Sequence, residues 1–176
     1  MKLKHFDIDF DCRKEAPFFQ SKPDYRIRFD IEKLKRTTLQ TIINSMFDAG
    51  EEIDMIVISQ YITDKGKRLS SKSNIGKIIT IKNWNETTVI DKETNEGVVY
   101  ANIKRLNRAD VNNYCLAVKK GFREAYISFF STTFLLYVSS DVIDIIANNK
   151  AEISNLKEEY RESYDKYYEE DNHHSK

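Results

Sequence analysis

The run Ile53-Asp54-Met55-Ile56-Val57-Ile58 constrains this chain more than any other segment, because its apolar residues fall on both faces of an extended backbone. A strand with one wet face alternates apolar and polar side chains. One that does not alternate needs cover on both sides. The run therefore predicts a central strand with helices above and below it, or with another layer on the second face.

The remaining segments supply the partners for that strand. Phe6, Ile8, Phe10 and Cys12 alternate with Asp7, Asp9 and Asp11, which predicts an opening strand with an apolar inner face and an acidic outer one. After the breaks at Pro17 and Pro23, Tyr25, Ile27, Phe29 and Ile31 point inward in a second strand while Arg26, Arg28 and Asp30 point to water. Leu34, Leu39, Ile42, Ile43, Met46 and Phe47 recur at helical spacing, with Gly50 as a left-handed C-cap. From Asp64 to Asn74 the chain is polar, basic and Ser-rich, and reads as a mobile loop. Strand-like pieces at 78–81, 87–90 and 98–100 flank a turn at 91–97. A helix starting at Asp110 as N-cap carries Val111, Tyr114, Cys115 and Val118 on one face and ends near Gly121. Apolar runs at 126–130, 134–138 and 142–147 read as three more strands. A last helix places Ile153, Leu156, Tyr160, Tyr164 and Tyr167 on one side. No repeat or linker divides the chain. The pattern predicts one α+β domain over 1–168, with a mostly antiparallel sheet of about six to eight strands and two or three helices packed on it, followed by a flexible tail over 169–176.

A chain of 176 residues can bury a core without staples. Cys12 and Cys115 are isolated, which predicts reduced thiols and neither a disulfide framework nor a zinc site. The charged opening residues do not read as a signal peptide, and no run is long enough to span a membrane, so a cytoplasmic protein with no membrane partner is expected. The sequon at Asn85 and Thr87 then carries no weight. The 28 basic and 28 acidic side chains cancel, which excludes a global field drawing the protein to nucleic acid or anionic lipid. Locally the charges separate. Lys65, Lys67, Arg68, Lys72, Lys77 and Lys82 make the middle basic, as do Lys104, Arg105, Arg108, Lys119, Lys120 and Arg123 further on, while the C-terminus is acidic through Glu170 and Asp171.

Two segments carry a resemblance. Ala16-Pro17-Phe18-Phe19 followed by Ile27-Arg28-Phe29-Asp30-Ile31, and Asp144-Ile145-Ile146-Ala147 before a Tyr-rich helix, are similar to a small bacterial family of uncharacterised function. That family has an apolar-aromatic pair, an Ile-Arg-Phe-Glu-Leu-Gly strand and an ending Tyr-Asp-Asp-Arg-Gly-x-Asp-Ile-Ile-Ala. This chain departs from it in having Val138-Ser139-Ser140-Asp141-Val142 for the Tyr-Asp-Asp-Arg-Gly stretch and Glu32 for the strand's Gly. The resemblance implies a shared fold. It also implies an association, by analogy, with proteins encoded beside toxins as their immunity partners.

Three carboxylates on one strand face, Asp7, Asp9 and Asp11, are a formal metal set, but a calcium loop would need Gly and Glu where Cys12 and Phe18 stand. A solvated rim for a basic partner is the expectation, with no metal and no cofactor. His5, His173 and His174 are the only histidines, the last two in the tail, so no Ser–His or Cys–His pair suggests itself and no catalytic residue is assigned. Ser139, Ser140, Asp141 and Asp144 read as a polar loop. The five glycines form no phosphate-binding fingerprint. Tyr160, Tyr164 and Tyr167 are expected to pack the last helix, leaving Glu158, Glu162, Asp165 and Glu169, with Tyr168, as an acidic edge for contact.

The resulting expectation is a non-catalytic protein-binding protein, most concretely an immunity protein that blocks a bacterial toxin domain through Asp7, Asp9, Asp11, Glu158, Glu162, Asp165, Tyr168 and Glu169. Nucleic-acid-degrading toxins are often basic, which suits an acidic patch. The alternative is a nucleic-acid-binding module using the basic loop from Lys65 to Lys82 and Trp84, against which the zero net charge stands.

Overall fold

The structure, a computed structural model, describes residues 1–11, 15–122 and 125–169. The expectations placed on Cys12, Arg123, Glu170, Asp171, His173 and His174, and on the tail at 170–176, lie outside the described residues. In chain order the elements are β1 (Lys2–Leu3), β2 (Ile8–Asp9), α1 (Pro17–Gln20), β3 (Arg26–Asp30), α2 (Arg36–Met46), β4 (Ile53–Ile62), β5 (Arg68–Ser70), β6 (Asn85–Ile90), β7 (Gly97–Leu106), α3 (Arg108–Lys119), β8 (Ile127–Phe130), β9 (Phe134–Val138), β10 (Val142–Ala147) and α4 (Lys150–Glu159). The fold is α+β: an eight-stranded sheet in the order β3-β10-β9-β8-β4-β7-β6, with β5 paired to the end of β4, plus the small β1-β2 pair. Every pairing is antiparallel. Among the described residues no helix is long and apolar enough to cross a membrane.

β4 occupies the central place its composition predicts. Its Ile53, Met55 and Val57 enter one core and its Ile56 and Ile58 enter another on the opposite face. The first core is closed by the three longer helices, through Leu39, Ile42 and Ile43 of α2, Val111, Tyr114 and Cys115 of α3, and Ile153 and Leu156 of α4. The second is closed by the N-terminal hairpin, whose Phe6, Ile8 and Phe10 pack on Ile56, Ile58, Tyr100, Leu135 and Ile146. Each large apolar side chain so buried contributes about 1.5–3 kcal/mol.

Local structure departs from the sequence reading in several places. The alternation from Phe6 to Phe10 holds as burial, but the strand is two residues long, and Asp7 sits in the left-handed region at φ 55 in the β1-β2 turn. α2 ends at Met46 with Phe47 extended and fully buried, and Gly50, at φ 91, serves the following turn rather than the cap. The basic loop contains β5, and residues 78–81 follow a short 3-10 turn instead of forming a strand. α3 begins one turn earlier than expected: Asn107 is the N-cap and Asp110 is its capping-box partner. The last helix stops at Glu159.

Candidate functional site

Arg28 was expected in water, and the structure corrects this. β3 and β10 pair with Arg28 directly opposite Asp144. Arg28 Nε donates to Asp144 Oδ1 at 2.6 Å and a terminal guanidinium nitrogen donates to Oδ2 at 2.9 Å, with side chains 9% and 0% exposed. A desolvated charge needs a partner, and the planar fork of arginine matches a carboxylate in two parallel bonds. Burial works against the Arg28 charge, but the hydrogen bonds and charge of Asp144 outweigh it and hold the guanidinium above its ordinary value. Burial is also the largest influence on Asp144 and pushes its carboxyl up, with Arg28 pulling it back.

An aromatic cover lies over this pair. The Arg28 guanidinium sits 4.0 Å from the Phe18 ring centre, 5.1 Å from that of Phe19 and 5.0 Å from that of Tyr168. Phe18 and Phe19 come from the single turn α1, started by Pro17 at its first position. Adjacent helical residues point in different directions, so Phe18 is buried while Phe19 is left 50% exposed. Arg26 fixes α1 and the C-terminal segment together, donating to the carbonyls of Phe18 (2.8 Å), Ser21 (2.7 Å) and Tyr168 (3.4 Å).

The segment after α4 reaches this place by folding around the β3 edge. Asp165 N–H donates to the Arg28 carbonyl at 2.8 Å, covering an otherwise open strand edge. Tyr168 then packs edge-on against Phe18 (5.6 Å) and Phe19 (5.7 Å), and Tyr167 against Tyr168 (4.9 Å). Tyr167, expected to pack the helix, is instead 75% exposed because the helix ends before it. Tyr160 does pack, edge-on to Phe29 at 5.8 Å, and its hydroxyl is pushed up to about 12, by burial first and by Glu159 next. The outcome is a continuous surface ridge, Phe19–Tyr168–Tyr167, braced from below by Phe18 and the Arg28–Asp144 pair.

The expected acidic residues divide into two groups beside this ridge. Asp7 pairs with Lys2 at 2.7 Å, whose hydrogen bond and charge hold its carboxyl below the ordinary value. Asp9 accepts from the Met1 amino group at 3.0 Å, and its backbone exchanges two hydrogen bonds with the Gln20 side chain of α1 (2.8 and 3.1 Å). The Asp11 carbonyl accepts from the buried Tyr100 hydroxyl at 2.8 Å. The three do not converge: among the described residues no group of three or more His, Cys, Asp or Glu is placed to hold a metal ion. At the other end Glu169 pairs with Lys157 at 2.9 Å, and Asp165 Oδ1 accepts from Tyr167 N–H. Glu158 and Glu162 are exposed and form no ion pair among the described residues. α1 lies between the two groups, touching the hairpin through Gln20 and the C-terminal segment through Phe18 and Phe19.

A cleft of about 710 Å³ lies elsewhere, where the end of β4, the end of α3 and the β9-β10 turn meet. Tyr61, Tyr126 and Tyr137 line it with Lys119 and Asp141. Its polar groups serve the fold: Lys119 Nζ donates to the carbonyls of Ile31 (2.8 Å) and Glu32 (3.1 Å), and Tyr126 donates to the Glu15 carbonyl (2.6 Å). Ser139 Oγ accepts from Val142 N–H at 3.2 Å within the turn, and Ser140 Oγ donates to its neighbour Asp141 at 2.9 Å. Asp144, grouped with these serines in the sequence, is the buried partner of Arg28. Compared with family models, curated proteins and solved structures, the chain finds no match in any of the three.

Proposed function

We propose that this protein is a non-catalytic binding protein that neutralises a bacterial toxin by direct contact, and that it docks its partner on the Phe19–Tyr168–Tyr167 ridge. The observation that carries this reading is the exposure of Phe19 and Tyr167 on a backing that cannot easily shift. Aromatic side chains supply large contact area at small entropic cost, and they dominate binding energy when their support is rigid. Here the support is a buried ion pair joined to three rings. Glu158 and Glu162, which form no ion pair among the described residues, and the carboxylate of Asp165 add an acidic margin, in which Lys33, Arg161 and Lys166 also stand, for contact with a basic partner. A basic nucleic-acid-degrading toxin domain suits that margin. The resemblance to a family associated with immunity partners favours the same reading, since Pro17-Phe18-Phe19, Arg28 and Asp144 belong to the segments that carry it.

Asp7 and Asp9 have a lesser place in this proposal than the sequence suggests. Their charges are matched by Lys2 and the Met1 amino group, so they form a rim rather than an anchor. The test is co-expression with the product of the neighbouring gene. Rescue of growth and recovery of a one-to-one complex support the proposal, and toxicity undiminished by this protein contradicts it.

A further inference from the structure

Basic residues gather around two depressions beside β5, β6 and β7. Trp84, just before β6, is 47% exposed, and its Nε1 donates to Glu86 at 3.0 Å. It lines a groove of about 490 Å³ with Arg68, Lys72, Ser70 and Asn74. Gln60 lines the same groove, with its Oε1 buried and without a hydrogen-bond partner among the described residues. Two residues back along the chain, Lys82 lines a second depression of about 310 Å³ with Lys104 and Arg105. Asn83 fixes the two relative to each other, donating to the Lys104 carbonyl at 2.8 Å and accepting from its N–H at 2.7 Å.

Like Glu158 and Glu162, most of these cations have no ion-pair partner among the described residues. Among the described residues Arg68, Lys72, Lys82 and Lys104 have no carboxylate within 4.0 Å, and Arg105 has only Glu52, at 3.8 Å. Asp110, which borders the second depression, is occupied by the Asn107 N–H in the α3 capping box. The zero net charge is a sum over the whole chain, whereas these two depressions are lined by five basic side chains and one carboxylate, Asp110. The Debye length at physiological salt is about 8 Å, so a partner seated here feels these nearby charges rather than the total of the chain.

We propose that this surface binds single-stranded nucleic acid, one base stacking on the Trp84 indole and the flanking phosphates lying on Arg68 and Lys72 on one side and on Lys82, Lys104 and Arg105 on the other. An exposed ring among cations calls for an unstacked base, which a duplex does not offer. The hydroxyl and amide groups of Ser70, Asn74 and Gln60 stand where a base edge presents donors and acceptors. An acidic peptide would use the cations but leave the indole without a stacking partner. The site shares no residue with the aromatic ridge, and it stands or falls independently of the toxin-binding proposal.

Trp84 is the single tryptophan of the chain, so its fluorescence reports this site directly. The full chain is titrated with oligo(U), oligo(dT), a duplex of equal length and poly-glutamate. Quenching by either single strand is expected, with affinity falling roughly 50-fold from about 50 to about 200 mM salt for four phosphate contacts. By anisotropy of a labelled oligomer, Trp84→Ala is expected to weaken binding at least about fivefold, and Arg68→Glu with Lys72→Glu to abolish it, with melting temperatures unchanged. No quenching by either strand at low salt, equal or tighter binding of duplex or poly-glutamate, or full affinity in Trp84→Ala would overturn the proposal.

Discussion

Arg28 and Asp144, 116 residues apart in the chain, face each other across β3 and β10 with two hydrogen bonds and almost no solvent contact. The pair ties one edge of the sheet to its neighbour and supports the rings of Phe18, Phe19 and Tyr168 above it.

Removing one member of the pair leaves the other charged, buried and alone. Arg28→Met and Asp144→Asn are each expected to lower unfolding free energy by about 3–5 kcal/mol. The double change Arg28→Met with Asp144→Leu is expected to cost clearly less than the sum, because no orphaned charge remains. Urea denaturation of the three variants measures this. Single-variant losses below about 1 kcal/mol would show that the pair is reached by water.

Gly97 starts β7 opposite Ile90, and a Cβ there would lie 2.5 Å from the Val89 carbonyl oxygen and 3.1 Å from an Ile90 side-chain carbon. Backbone cannot retreat as a side chain can. Gly97→Ala is expected to cost about 1–3 kcal/mol and to loosen the β6 edge. Faster amide exchange across β6 than across β10 in that variant is the matching observation.

Alkaline pH should weaken the fold through its tyrosines. Burial is the largest influence on Tyr126, Tyr160 and Tyr164 and raises all three hydroxyls, Tyr160 to about 12. A tyrosine that keeps its proton longer folded than unfolded contributes fully below the unfolded value of 10.0. It loses that contribution as pH rises from there through its folded value, because the unfolded chain then binds fewer protons. The urea midpoint is expected to stay level up to about pH 10 and then fall. Tyrosinate absorbance should show a late fraction that appears together with unfolding. A midpoint that rises across this range would reverse the sign.

Much of the fold is readable from residue patterns that decide between water and core. The missing alternation at Ile53 to Ile58 places β4 centrally because its two sets of side chains enter two different cores. The same rule fails at Arg28, where a polar residue in an alternating strand reads as solvent-facing. Only a carboxylate brought from far along the chain, together with the single helical turn at Phe18 and Phe19, makes its burial affordable. Two adjacent phenylalanines in one helical turn were the available signal for the exposed ring, since both cannot face the core. Tyr167 was hidden by periodicity. Tyr160, Tyr164 and Tyr167 keep helical spacing, yet α4 ends at Glu159 with no glycine or proline to announce it, and the chain turns to bond the β3 edge. The acidic triplet at Asp7, Asp9 and Asp11 was visible as composition. Its pairing with Lys2 and the Met1 amino group depends on a hairpin only two residues deep.

The most direct test of the docking surface is calorimetric titration of the neighbouring gene's product with the wild-type chain and with Phe19→Ala/Tyr167→Ala. Tyr167 is three-quarters exposed and Phe19 half-exposed, so a melting curve of the variant, expected to fall only slightly, accompanies the titration. Tight one-to-one binding by the wild type is expected, weakened by at least about 100-fold in the variant if each ring contributes at hot-spot level. No binding by the wild type, or equal affinity in the variant, would contradict the account.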